Sequence, residues 1–271
     1  MVDTALIIAA GAGTRLKQVT GTIPKPLLRV AGVPLITRIL LTAQKAGMTR
    51  FVIVTGYAVD QLHATLDGDP RVSPLIEWVH NEQWEAPNGL SVLAARDFLP
   101  GPFVLLMADH LFDGQNLLRL LHTPLESGEC VLGVDRKLDT IYDIEDATKA
   151  RVDGSHLIDI GKHLTEYNAV DTGLFLCSPA LFDALEASRR DGGCALSDGV
   201  RLLARQGRMR ACDIEDGFWQ DIDTPDMLDH AERVLLRNLR KPTDGVVSRY
   251  LNRPISTRIS QRLVRTSISP N

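Results

Sequence analysis

Three short apolar runs, each closing on or near a glycine or a carboxylate, most constrain what this chain can fold into. TALIIAAG (Thr4–Gly11), RFVIVTGY (Arg50–Tyr57) and PFVLLMAD (Pro102–Asp109) lack the alternation of apolar and polar residues that marks a half-exposed strand. A strand apolar on successive residues is buried on both faces. Helical stripes lie between the runs. PLITRILLTAQKAG (Pro34–Gly47) opens near proline and ends on glycine, VDQLHATL (Val59–Leu66) follows, and a short helix is expected near Ser91–Asp97. LIEWVHN (Leu75–Asn81) adds a further strand candidate. Strands alternating with helices predict an α/β domain whose mostly parallel sheet is covered by helices on both faces.

Beyond Cys130 the strand patterns CVLGV, ARVDG and TGLFLCS surround one clear helix, Pro179–Arg190. TPDMLDHAERVLLRNLRK (Thr224–Lys241) predicts a last helix, with Thr224 as N-cap, proline at the first position, acids early and bases late. The four cysteines, Cys130, Cys177, Cys194 and Cys212, form no CxxC pair and have no histidine at ligand spacing. They predict reduced thiols in a cytosolic protein and argue against structural zinc. No apolar run reaches the roughly 18–20 residues needed to span a bilayer, and the segment after Met1 is strand-like, unlike a signal peptide.

The glycines of LIIAAGAGTRL, Gly11 and Gly13, come directly after the first strand, where backbone N–H groups can approach an anion closely. A dinucleotide fingerprint would need a third glycine where Leu16 stands, and GxxxxGK[ST] is absent. The remaining reading is a nucleotidyltransferase loop, in which Arg15 and the downstream Lys25 grip a triphosphate. Pro24 and Pro26 restrict the backbone on either side of Lys25 and aim its cation.

AAGAGTRL followed by PKPL closely resembles the signature of the nucleotidyltransferases that join a nucleoside triphosphate to a sugar phosphate or alcohol phosphate. The resemblance covers about residues 4–240 and implies a Rossmann-like, GT-A-like nucleotidyltransferase fold in a domain spanning 1–241. It implies catalytic roles for Arg15, Lys25 and Asp109. Nucleotide contacts are implied for Ala9, Ala10, Gly11, Gly13, Thr14, Arg15, Asn88, Gly89 and Ser91. Acceptor contacts are implied for Lys162, Asp171 and Gly173. Asp109 matches an aspartate that binds Mg²⁺ in the family, and FWQDIDTPD (Phe218–Asp226) resembles the later metal motif. Asp221 and Asp223 alternate along an extended segment, so both face one side and either is a candidate second ligand. Two hard oxygen donors plus substrate phosphates suit Mg²⁺. The seven histidines show no metal spacing and take no role in this reading.

YDIEDATKARVDG (Tyr142–Gly154), with its DATK run, is similar to the cytidylyltransferases that act on inositol-1-phosphate. The implied reaction transfers CMP from CTP to inositol-1-phosphate. The same chemistry on phosphocholine or a hexose-1-phosphate with CTP, UTP or dTTP is the alternative, as is a non-catalytic nucleotide-binding regulator.

From Arg233 to Asn271 nine basic residues face one acid, Asp244, a balance of +8 that leaves −12 for the first 232 residues of a chain with net charge −4. Ile255, Ile259, Leu263 and Val264 fall at helical spacing among Arg258, Arg262 and Arg265. Residues 242–271 fit a basic amphipathic segment against an anionic membrane surface, with a core-packing helix or a nucleic-acid arm as the other readings; the arm would not need the apolar stripe, so no nucleic-acid partner is expected. SISPN resembles the entry to the first membrane helix of CDP-alcohol phosphotransferases. The resemblance implies a fused membrane domain in a longer bifunctional protein, placing the chain on the cytoplasmic face of the membrane. The second catalytic motif, DGxxAR…GxxxDxxxD, is absent here.

Overall fold

The computed structural model describes residues 2–13, 21–190 and 194–238. Its strands are β1 (Thr4–Ile8), β2 (Arg29–Val30), β3 (Val33–Pro34), β4 (Arg50–Thr55), β5 (Ile76–His80), β6 (Phe103–Met107), β7 (His110–Phe112), β8 (Cys130–Asp135), β9 (Lys149–Asp153), β10 (His156–Gly161), β11 (Ala169–Cys177), β12 (Met209–Asp213) and β13 (Trp219–Asp221). The α-helices are α1 (Leu35–Lys45), α2 (Val59–Asp67), α3 (Gly89–Ala94), α4 (Gly114–His122), α5 (Ala180–Arg190), α6 (Leu196–Arg205) and α7 (Pro225–Asn238).

The apolar runs form the centre of the main sheet. Strands β5, β4, β1 and β6 lie side by side and parallel, with Leu6 opposite Val52 on one side and Leu105 on the other. The sheet then continues β11-β8-β12-β10-β9 and becomes mixed. β11 is antiparallel to β6 and to β8, whereas β12 returns parallel to β8. β9 and β10 are joined by a tight turn at Gly154, φ +55°, and so short a connection permits only antiparallel pairing.

Alternation along β1 sends Leu6 and Ile8 into one core and Ala5 and Ile7 into another, on opposite faces of the sheet. The first core is closed by α3, α5 and α6 through Val92, Leu185 and Val200. The second is closed by α1, α2, α4 and α7 through Leu35, Leu62, Leu117 and Ala231. Burial on both faces explains why the runs lack polar positions.

Two helices carry weak sequence signals. In α6, Gly199 and the polar Ser197 and Asp198 depress helix propensity. Gly199 is needed for close packing, because a Cβ there would lie 2.7 Å from Leu185 Cδ2 of α5. The Asp198 carboxylate compensates by accepting from Ala195 N at 2.9 Å. Helix α4 begins at glycine and is started by Asp113, which accepts from Gln115 N at 3.2 Å. The expected Thr224 cap is present, with Met227 N donating to Thr224 Oγ1 at 3.3 Å. The basic segment expected over 242–271, and the end of the last helix, lie outside the described residues. Among the described residues no helix is long and apolar enough to cross a membrane.

Phe103 of β6 is fully buried and stacks on Phe182 of α5, with ring centroids 5.3 Å apart and planes 20° from parallel. Replacing Phe103 with alanine should lower unfolding free energy by about 3–5 kcal/mol, read as an earlier urea midpoint with unchanged slope.

Candidate active site

The C-terminal ends of β1 and β6 open onto one side of the sheet, where ligands of parallel α/β sheets are held. After β1 the backbone stays tied to β4, with Ala9 N donating to Val54 O at 2.9 Å and Ala10 O accepting from Tyr57 N at 3.0 Å. Ala9, Gly11 and Gly13 then line a cavity of about 360 Å³. Gly13 has φ +57°, and a Cβ on it would stand 2.7 Å from Lys25 Cβ. Glycine is therefore required both by the turn and by the approach of Lys25. Thr14 and Arg15 lie outside the described residues.

Lys25 opens a short 3-10 turn with Pro24 before it and Pro26 inside it. It is 8% exposed; Nζ donates to Asp109 Oδ2 at 2.6 Å and also to Asp223 Oδ1. Burial works against this charge, but Asp109 and Asp223 outweigh it and raise the lysine pKa. Burial likewise opposes ionisation of Asp109, yet Lys25 and His110 hold its carboxyl well below the usual range.

A two-stranded ribbon brings the distant carboxylates together. β7 pairs antiparallel with β13, with Asp221 opposite His110, and Ile222 N donates to Asp109 O at 3.0 Å. Asp109 therefore precedes one strand of the ribbon, while Asp221 ends and Asp223 follows the other. The two candidates of the later motif take different positions. Asp223 joins Asp109 on Lys25, whereas Asp221 lies nearer His110. Asp221 is raised by burial, which His110 opposes and the like charges of Asp223 and Asp109 reinforce.

A second cavity of about 420 Å³ lies on the other side of Asp109, lined by Asp146, Thr148, Lys162, Asp171 and Gly173. Asn88, Met107, Asp109 and Asp223 border both cavities. Lys162 Nζ donates to Asp146 Oδ1 at 2.9 Å. β11 breaks register between Asp171 and Phe175, and within this bulge Gly173 adopts φ +74°. A Cβ at Gly173 would lie 2.6 Å from His110 Cδ2, so the bulge and the histidine fit only with glycine.

The remaining nucleotide candidates divide between cavity and scaffold. Ser91 lines the first cavity. Asn88 borders it, but its Oδ1 accepts from Leu196 N at 2.8 Å and so anchors the start of α6. Gly89 is a packing position, because a Cβ there would be 2.3 Å from Cys194 O.

His110, given no role on sequence, belongs to the charge cluster. Its Nδ1 is 2.6 Å from Asp109 Oδ1, and its ring stacks on Trp219 at 5.9 Å. Burial opposes its charge, but Asp109 and Asp221 raise its pKa. Its adjacency to Asp109 was the available signal. Trp84, another wall of the first cavity, has none in its spacing.

Burial pushes Asp171 up to about 6, against the Gly173 N–H that donates to its Oδ1 at 2.7 Å. A carboxyl raised on folding holds its proton to higher pH in the native state than in the unfolded chain. Its contribution therefore weakens the fold as pH rises from about 4 through about 6. Asp171→Asn should melt about 6–12 °C above the parent at pH 7.5, a gain of roughly 3 kcal/mol, and level with it at pH 4. Scanning calorimetry at the two pH values checks this.

The MobA-like NTP transferase domain matches residues 5–209. A bifunctional IPC transferase and DIPP synthase of Rubrobacter xylanophilus is 39% identical over 98% of this chain and 60% of its own length. The protein of the same name from Aquifex aeolicus is 34% identical over the whole chain, again 60% of its own length. This chain thus spans about three-fifths of these curated relatives. Among solved structures, the inositol-1-phosphate CTP transferase from T. maritima superimposes with TM-score 0.78 at 26% identity, covering 90% of this chain and 98% of that one. A UDP-glucose pyrophosphorylase complexed with UDP-glucose, 19% identical, shares the fold with TM-score 0.72, covering 88% of this chain and all of its own. With the domain matched over most of its length and the sheet shared with these transferases, the chain belongs to the MobA-like NTP transferase family.

Proposed function

We propose that this chain is a Mg²⁺-dependent cytidylyltransferase that transfers CMP from CTP to inositol-1-phosphate, giving CDP-inositol and pyrophosphate. The observation that carries the reading is the wall shared by two cavities, where Asp109 and Asp223 flank the buried Lys25. A nucleotide on the glycine side and a phosphorylated alcohol on the Lys162 side would bring their phosphates to that wall. The name of the T. maritima structure supplies CTP and inositol-1-phosphate as the pair to test.

The chemistry needs positioning and charge balance more than proton transfer. An oxygen of the acceptor phosphate, already anionic near pH 7, forms the new bond to the α-phosphorus. The bond from that phosphorus to its bridging oxygen breaks, and pyrophosphate departs. Gly11 and Gly13 let the backbone approach the triphosphate. Lys25 has three ammonium protons, of which Asp109 and Asp223 take two; the third has no acceptor among the described residues and can meet a phosphate oxygen. Arg15 adds charge on the triphosphate, Lys162 meets the acceptor phosphate, and Asp171 and Gly173 shape the acceptor side. These contributions are proximity and electrostatic stabilisation.

The donor set fits a hard divalent cation. Asp109, Asp221 and Asp223 outnumber the cations Lys25 and His110; burial raises the Asp221 carboxyl, and the like charges of Asp223 and Asp109 add to that rise. Among the described residues no three acidic, histidine or cysteine side chains form a ready-made cage, so substrate phosphates would complete the shell. Held there by Asp109 with either Asp221 or Asp223, Mg²⁺ would neutralise and orient phosphate oxygens.

Pyrophosphate release, measured with five nucleotides against inositol-1-phosphate, glucose-1-phosphate and phosphocholine, should appear with CTP and inositol-1-phosphate. Release confined to another pair, or none, overturns the assignment. Asp109→Asn should lower turnover by about a thousandfold or more. Chelation of divalent cations should abolish release, and added Mg²⁺ should restore it.

We further propose that residues 242–271 lie against an anionic bilayer and lead to a fused CDP-alcohol phosphotransferase domain. The chain should co-sediment with phosphatidylserine vesicles at low salt and be released by about 0.5 M salt. Binding that salt leaves unchanged counts against it.

A further inference from the structure

The first cavity contains a hydroxyl group whose hydrogen-bonding direction is fixed by its neighbours. Asn81 follows β5, 6% exposed, with its backbone N–H donating to Thr55 O at 2.8 Å. Its side-chain Oδ1 accepts from Gln83 N at 2.9 Å. A backbone N–H can only donate, so this contact identifies the oxygen end of the amide. The other end, Nδ2, then faces Ser91 Oγ at 3.0 Å and must donate to it.

Ser91 is 3% exposed, sits in the first turn of α3 and lines the first cavity beside Trp84 and Ala86. With Asn81 donating to its oxygen, the serine proton must point elsewhere, and no protein acceptor takes it among the described residues. It is available to a ligand in the cavity. The wall carrying Ser91 and Trp84 belongs to the same cavity as Gly11, Gly13 and Lys25. A nucleotide with phosphates at the glycines and Lys25 would extend its base toward that wall.

We propose that Asn81 sets nucleobase selectivity by holding the Ser91 hydroxyl as a donor toward ring N3 of cytosine. The inference rests on the cytidylyltransferase reading and deepens it. Cytosine and uracil share a ring outline and O2, but they differ at N3. Cytosine offers a lone pair there, whereas uracil offers an N–H. A locked donor pairs with the first and opposes the second, leaving two donors face to face in a buried site. Such unpaired polar groups are the strongest discriminators available to a pocket. Ser91 touches the base, and Asn81 acts through it as a positioning residue.

The logic predicts a reversal. In Asn81→Asp both side-chain oxygens accept. One keeps Gln83 N–H, the other takes the Ser91 proton, and the serine then presents a lone pair, which suits uracil N3–H. Equilibrium binding of CTP and UTP to the full chain with Mg²⁺, without acceptor, measures the preference directly. The parent should favour CTP by tenfold or more. Asn81→Asp should lower the CTP/UTP affinity ratio at least tenfold, and Ser91→Ala should bring it close to one. Should Asn81→Asp fail to fold, Ser91→Ala decides alone. A parent that prefers CTP, with both folded variants within twofold of its ratio, overturns this inference and leaves the cytidylyltransferase reading standing. A parent without preference for CTP also overturns it. A parent binding neither nucleotide overturns both.

Discussion

A single buried ammonium group sets the terms for the whole site. Lys25 Nζ contacts carboxylates from two other segments, Asp109 after β6 and Asp223 after β13. Burying an unpaired lysine costs several kcal/mol, and two unpaired carboxylates side by side are no better. Each charge is therefore tolerated because the others are present. The Pro24–Pro26 turn, the glycine turn at Gly13 and the β7–β13 ribbon all deliver these groups to one point.

The sheet provides the frame for that meeting. Its parallel half ends β1 and β6 on the same side, giving the glycine turn and Asp109 a common wall. Its mixed half contributes the antiparallel β11, whose bulge places Asp171 and Gly173 against His110. Parallel strands thus build one cavity and an interrupted antiparallel strand the other. The change of strand direction between β6 and β11 falls at the boundary between the two.

Much of this arrangement is legible in the sequence because burial on both faces leaves an unmistakable pattern. TALIIAAG, RFVIVTGY and PFVLLMAD could be nothing but covered strands, and all three are. The helices α4 and α6 are less legible because their glycines serve tertiary packing or helix starts at the expense of local propensity. Asp221 and Asp223 could not be told apart, since their alternation gives both the same side. Only the pairing of β13 with β7 distinguishes their neighbours. His110 escaped notice for a related reason: its partners are the adjacent Asp109 and the distant Trp219, and no spacing rule reports either. Asn88 and Gly89 read as base contacts, but much of their chemistry is directed to the start of α6 and to Cys194.

Helix α7 begins two residues after Asp223 and is fastened beside the site, where Glu232 Oε1 accepts from Ala31 N at 2.8 Å. Its 14 residues make a rod about 21 Å long, with a carboxylate that balances Lys25 attached at one end. Met227 and Ala231 of the same helix are buried, and Asp223 N donates to Met227 Sδ at 3.3 Å. The spacing between Asp223 and Lys25 therefore inherits the stiffness of a helix packed along its length.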